Sequence, residues 1–221
     1  MRTTTRIHIS GQTYFLKLTG KSCGASFFDA ACYRVFLTRL LNCLNSFQVK
    51  LHAYSLRPKE IYLLVTPSSP TGISNLLNSI NQAYSEYFNE RFSRAINVWG
   101  GSTLSSPVLG DQFCLNCQKY IERIALRDPD IDHPGAYEWS SYCLNAFGSK
   151  TRFLSPHSAY LKFLNGTSNP FHRYREFIAA PFGSDVERHI RHTLSSSSFD
   201  SFPVNPMAGI VVIKSNAGQR F

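Results

Sequence analysis

The chain of 221 residues is long enough for one good-sized domain with an appendage and too short for several. Hydrophobic residues make up 43% of it and charged residues 17%, a balance that excludes global disorder. Apolar runs such as Ile61-Tyr62-Leu63-Leu64-Val65 fall far short of the roughly 20 residues of a membrane span. Lys and Arg number 23 against 14 Asp and Glu, and the resulting charge of +9 favours a polyanionic partner, nucleic acid or an anionic membrane surface. Met1-Arg2-Thr3-Thr4-Thr5-Arg6-Ile7-His8 has no secretory apolar stretch. Cys23, Cys32, Cys43, Cys114, Cys117 and Cys143 therefore read as reduced thiols of a cytosolic protein.

Alternation over Tyr14-Phe15-Leu16-Lys17-Leu18-Thr19 predicts a strand, ended by Gly20 and Ser22-Cys23-Gly24. Phe28, Cys32, Val35, Phe36, Leu40, Cys43, Leu44 and Phe47 recur at helical spacing, with Arg34, Arg39, Asn42 and Asn45 on the other face. From Phe47 to Ser55 the period changes to two, with Val49, Leu51 and Ala53 facing one way and Lys50, His52 and Tyr54 the other. The turn Arg57-Pro58-Lys59 predicts an antiparallel hairpin into a strand over 60–66. After the Pro67-Ser68-Ser69-Pro70 loop, Ile73, Leu76, Leu77, Ile80, Tyr84, Tyr87, Phe88 and Phe92 predict a second helix. Val98-Trp99 opens a strand reaching towards Leu109, weakened by Gly100, Gly101 and Pro107, and a third helix follows over 111–124.

The order strand, helix, strand, strand, helix, strand, helix predicts an α+β fold, a ferredoxin-like antiparallel sheet with helices on one face. This unit is assigned to residues 1–125. A helical C-terminal extension occupies 126–194, with helices around 158–164, 173–179 and 185–194, and a Ser-rich linker and tail occupies 195–221. Gly209-Ile210-Val211-Val212-Ile213 is a short β-type run within the tail, a handle for an edge strand or a protein partner.

Several phrases together resemble the REP-associated tyrosine transposases, relatives of the single-tyrosine insertion-sequence transposases. His52-Ala53-Tyr54-Ser55-Leu56-Arg57-Pro58-Lys59-Glu60-Ile61-Tyr62-Leu63-Leu64-Val65-Thr66-Pro67 is similar to that family's His-Ala-Tyr-x-Leu-Met-Pro-Asn-His-Val-His-Leu-Leu-x-x-Pro hairpin. Ala83-Tyr84-Ser85-Glu86-Tyr87-Phe88-Asn89, Val98-Trp99-Gly100-Gly101, Tyr120-Ile121-Glu122 and Tyr137-Glu138-Trp139-Ser140-Ser141-Tyr142 resemble four further signatures, in the right order. The resemblance covers residues 10–150 and implies a nuclease in which two histidines, i and i+2 on a strand, hold Mg²⁺ or Mn²⁺ against the scissile phosphate of single-stranded DNA. It implies a tyrosine nucleophile at Tyr84 and a covalent phosphotyrosine.

The chain departs from the pattern where that chemistry sits. Glu60 and Tyr62 stand at the two histidine positions, Ser102 and Leu104 replace basic residues, and Ile124-Ala125 replaces Asn-Pro. Glu60 is a hard oxygen donor, whereas a phenol that titrates near 10 stays neutral at cellular pH. The expectation is therefore a domesticated, transposase-like DNA-binding protein that no longer cuts and needs no cofactor. It would act in the cytoplasm at the nucleoid, as a monomer or homodimer without a membrane. An active enzyme using Glu60, Mg²⁺ or Mn²⁺ and Tyr84, and a protein-interaction subunit binding through 199–221, are the alternatives.

Tyr84 also fits an apolar stripe with Ile73, Leu77, Ile80 and Phe88, the position of a core tyrosine. Candidate DNA contacts are Arg34, Arg39, Lys50, Arg57 and Lys59 in the first half, with Lys17 and Lys21 nearby in sequence, and Arg173, Arg175, Arg188 and Arg191 in the extension. Tyr54, Tyr62 and Trp99 are candidates for base stacking, or for the core. Cys114-Leu115-Asn116-Cys117 lacks a second pair and reads as buried thiols. His189 and His192 read as part of a solvated basic helix face.

Overall fold

A computed structural model describes residues 7–21, 26–149, 151 and 154–195, so Cys23 and the tail with its Gly209-Ile210-Val211-Val212-Ile213 run lie outside the described residues. The elements follow the expected order: β1 (Tyr14–Thr19), α1 (Ala30–Ser46), β2 (Val49–Leu56), β3 (Glu60–Pro67), α2 (Gly72–Phe92), β4 (Thr103–Pro107) and α3 (Asp111–Arg123). Short helices α4 (Tyr142–Ala146), α5 (Ser158–Leu164), α6 (Pro170–Ala179) and α7 (Ser184–Ser195) follow within the described residues. The four strands are antiparallel in the order β2-β3-β1-β4, the arrangement of a ferredoxin-like sheet. Asp29 caps α1 by accepting from the Cys32 amide at 3.0 Å, and it also receives the Arg91 guanidinium of α2 at 2.6 Å.

The α+β architecture stands, and the helices cover both faces of the sheet rather than one. On the first face Tyr14, Leu16 and Leu18 of β1, Leu51, Tyr54 and Leu56 of β2, and Ile61, Leu63 and Val65 of β3 pack under α1 and α2. On the second, Phe15, Ala53, Tyr62 and Leu64 are covered by Cys114, Cys117, Tyr120 and Ile121 of α3, joined by Tyr160, Tyr174, Ile178 and Ile190 of the extension. The reason is visible in β3, whose Ile61-Tyr62-Leu63-Leu64-Val65 is apolar at consecutive positions and so needs cover on both sides.

A β-bulge between Leu51 and Ala53 shifts the phase of β2. With His52 as the extra residue, Ala53 turns to the second face and Tyr54 joins Leu51 on the first, correcting the strict alternation expected here. The outer edge of β2 is closed by the extension: Leu56 N donates to Trp139 O at 2.9 Å, Ser141 N to Tyr54 O at 2.9 Å, and Ser155 N to Leu51 O at 2.7 Å.

The expected strand at Val98-Trp99 begins later, at Thr103. Residues 96–99 are instead strapped to α2, where Asn81, Ser85 and Asn89 accept from the amides of Trp99, Val98 and Ile96 at 3.2, 3.1 and 3.1 Å. Gly101 then passes so close to β1 that a Cβ there would lie 2.4 Å from Thr19 O. Gly101→Ala is expected to destabilise by about 1–3 kcal/mol, read as a lower urea midpoint. Gly183→Ala, where a Cβ meets nothing within 4 Å, is the comparison and should cost less, only the lost N-cap preference of glycine at the start of α7.

Candidate functional site

Glu60 and Tyr62 are two apart on β3 and project from the second face, where α3 covers the sheet. Lys17 of β1 lies directly opposite Tyr62 in the register and shares that face. Its Nζ forms an ion pair with Glu60 Oε1 at 2.6 Å and stands 5.6 Å from the centre of the Tyr62 ring. The Tyr62 hydroxyl donates to Glu60 Oε2 at 2.6 Å. Burial alone would raise the Glu60 carboxyl, but the bonds from Lys17 and Tyr62 hold it below its ordinary value. Burial and the bond to Glu60 push the Tyr62 phenol far above its own.

The two positions where the resemblance implies a divalent cation therefore supply one carboxylate, with both oxygens engaged, and one neutral phenol. A hard cation needs several oxygen or nitrogen donors with free lone pairs. This donor set does not fit one, and the Lys17 ammonium already neutralises the carboxylate. Among the described residues no group of three His, Cys, Asp or Glu could hold a metal ion.

Tyr84 is not brought to Glu60 and Tyr62. It lies on the first face, fully buried, with ring centres 5.5 Å from Phe27 and 5.3 Å from Phe36. Its hydroxyl donates to Ser26 O at 2.8 Å, and burial pushes the phenol far above its ordinary value. Tyr84→Phe is expected to cost about 1 kcal/mol of stability through that lost bond, measured by urea unfolding. The phenol that does face Tyr62 is Tyr120 of α3, at 6.3 Å between ring centres. Its hydroxyl accepts from Arg127 Nη2 at 2.8 Å. Sequence reasoning quoted Tyr120 only as part of a signature; the seven-residue separation of Tyr120 from Phe113 along one face of α3 was the available signal.

The stacking candidates are enclosed as well: Tyr54 and Trp99 pack on the first face and Tyr62 on the second, none more than 4% exposed. Of the basic candidates, Arg57 and Lys59 lie at the β2–β3 turn, and Arg34 on the half of α1 that starts from the same end of the sheet. Lys50 pairs with Thr66 at the opposite end of β2, so the first-half charges do not form one patch. Arg57 is held by Asp128 at 3.4 Å and lies over Tyr137, while Lys59 and Arg34 are exposed and Arg39 is half-buried. Arg173 donates to Phe163 O and Arg175 to Ala146 O, each at 3.0 Å, which makes both of them braces between helices. Arg188 pairs with Asp185 at 3.1 Å and Arg191 with Glu187 at 2.6 Å on α7.

Two signatures prove to be halves of one buried latch. Glu122 Oε1 accepts from Ser141 Oγ at 2.8 Å and Asn145 Nδ2 at 2.7 Å, and Oε2 from the Tyr174 hydroxyl at 2.7 Å. Beside the latch, whose Asn145 Nδ2 also donates to His52 O at 3.3 Å, His52 Nδ1 contacts Ser155 O at 2.6 Å and Nε2 contacts Thr66 Oγ1 at 2.8 Å. The chain continues through Thr13 to His157, whose Nδ1 accepts from the Ala159 amide at 3.0 Å and lies 3.2 Å from Cys114 Sγ. Cys114 and Cys117 are buried thiols, and burial pushes Cys114 up to about 12. His189 packs edge-on against Phe113 at 5.1 Å, so it is not wholly a solvated residue.

No family model matches the chain, and no curated protein sequence does. Solved structures do. A REP-associated tyrosine transposase bound to a REP hairpin superposes with a TM-score of 0.57 at 12% identity, over 71% of this chain and 93% of that one. A protein from Deinococcus radiodurans R1 described as a transposase aligns with a TM-score of 0.38 at 17% identity, over 56% of this chain and 97% of that one. The first of these gives the fold: the chain has the architecture of a REP-associated tyrosine transposase.

Proposed function

We propose that the protein is a domesticated, transposase-like DNA-binding protein that holds structured single-stranded DNA without cutting it. The observation that carries this reading is the ion pair of Glu60 with Lys17, closed by the Tyr62 hydroxyl, at the positions where cation ligands are expected. The placement of Tyr84 on the opposite face supports it, since no attack on a phosphate at Glu60 can start from there. The charge of +9 and the exposed Arg34 and Lys59 at the hairpin end supply phosphate contacts. That a protein of this fold is known bound to a REP hairpin makes a hairpin the first ligand to try.

Binding of a labelled hairpin oligonucleotide should be strongly salt-dependent. With about four phosphates neutralised, affinity is expected to fall roughly 50-fold between 50 and 200 mM salt. Fluorescence anisotropy across that range checks it, and a flat response would refute an electrostatic DNA contact. Lys59→Ala should weaken binding and reduce the salt slope by about one contact.

A further inference from the structure

We propose that Arg127 and Arg191 form a clamp for a nucleic-acid backbone phosphate, occupied in the resting protein by the Glu187 carboxylate. This rests on the DNA-binding reading above and names the regulation of that surface. Glu187 Oε1 accepts from Arg191 Nη2 at 2.6 Å and lies 3.5 Å from Arg127 Nη2, so two guanidinium groups converge on one oxygen. Arg127 is itself oriented, lying 5.1 Å from the centre of the Tyr120 ring and donating to the Tyr120 hydroxyl. Two guanidinium groups fixed around one anionic oxygen are the geometry that recognises phosphate.

Nearby acids are already committed, Glu60 to Lys17, Asp128 to Arg57 and Glu187 to the arginines. A phosphodiester carries the same single charge as Glu187 and offers more acceptor oxygens, so it can take the carboxylate's place without leaving either guanidinium unpaired. The exchange needs no movement of α7. That helix is docked independently, through Ile190 in the core and Ser106 Oγ donating to Thr193 O at 2.7 Å, and only the Glu187 side chain has to turn. The three side chains are within reach of solvent, at 42% exposure for Arg127, 59% for Arg191 and 36% for Glu187.

The test compares Glu187→Gln with Asp185→Asn. Each removes one negative charge from α7, but Asp185 pairs only with the neighbouring Arg188 among the described residues. Hairpin-oligonucleotide affinity is expected to rise about five-fold in Glu187→Gln relative to Asp185→Asn. Arg127→Ala should lower it and abolish the gain when combined with Glu187→Gln. Inorganic pyrophosphate is the second probe, and it should raise the melting temperature of Glu187→Gln more than that of Asp185→Asn. Equal behaviour of the two single variants with both probes overturns the clamp. A wild-type protein that ignores the oligonucleotide while the pyrophosphate difference persists overturns the DNA-binding reading and leaves the clamp as a site for free phosphates.

Discussion

Replacing Glu122 by alanine is expected to lower the unfolding free energy by about 3–5 kcal/mol, because Ser141, Asn145 and Tyr174 would each lose a buried acceptor. Replacing it by glutamine is expected to cost less than about 1 kcal/mol, and the reason lies one residue further along the network. Tyr174 accepts from Gln118 Nε2 at 2.8 Å, while Gln118 Oε1 is buried without a partner. A half-turn of the Gln118 amide would let Tyr174 donate to that oxygen and accept from a donor at position 122. Burial pushes the Glu122 carboxyl up to about 7 against the three donors, so the latch already has to serve both a charged and a neutral group. Urea unfolding of the two variants checks this; a glutamine variant as unstable as the alanine one would contradict it.

The second large effect is a loss of stability in acid that the wild type conceals. Burial holds His52 at about 4 against an ordinary 6.5, and His157 is also lowered by burial. The unfolded chain therefore takes up the His52 proton first, and stability falls as pH drops from 6.5 to about 4, by about 3 kcal/mol for His52 alone. Glu122 has the opposite sign. Its raised folded value contributes stability that is complete below 4.5 and lost as pH rises through about 7. The two slopes offset each other in the wild type. In Glu122→Gln the offset is gone and the histidine slope stands unopposed, so chemical denaturation at pH 4.5 and pH 6.5 should differ far more in the variant. Identical pH profiles for the two proteins would show that the Glu122 carboxyl is not raised, and a variant equally stable at pH 4.5 and pH 6.5 would show that His52 is not held neutral.

The element order was legible because each segment repeats its apolar residues with one clear period, as in the stripe from Ile73 to Phe88 or the alternation of β1. What escaped the sequence were consequences of a single residue acting at a distance. The bulge at His52 turns Tyr54 into the core, and no local property of His52 announces it. Tyr84 fits a core stripe and a nucleophile equally well until the sheet face beneath it is known. Lys17 is an ordinary outward residue of β1 until the β1–β3 register sets it against Tyr62 and beside Glu60. The clamp joins residues 127 and 187 through helix packing that the loose pattern after 128 does not encode. Arg173 and Arg175 read as candidate DNA contacts in the sequence because periodicity cannot reveal a carbonyl waiting at the end of another helix.

The central claim is that Lys17 has taken the place of a cation beside Glu60, leaving a surface that grips DNA and does no chemistry on it. A labelled hairpin oligonucleotide incubated with the protein in Mn²⁺ or in EDTA, and run on native and denaturing gels in parallel, tests it directly. The account predicts the same native shift in both conditions and full-length, unmodified oligonucleotide on the denaturing gel. A cleaved or protein-linked band that appears with Mn²⁺, vanishes with EDTA and is lost in Tyr120→Phe or Tyr84→Phe would contradict it.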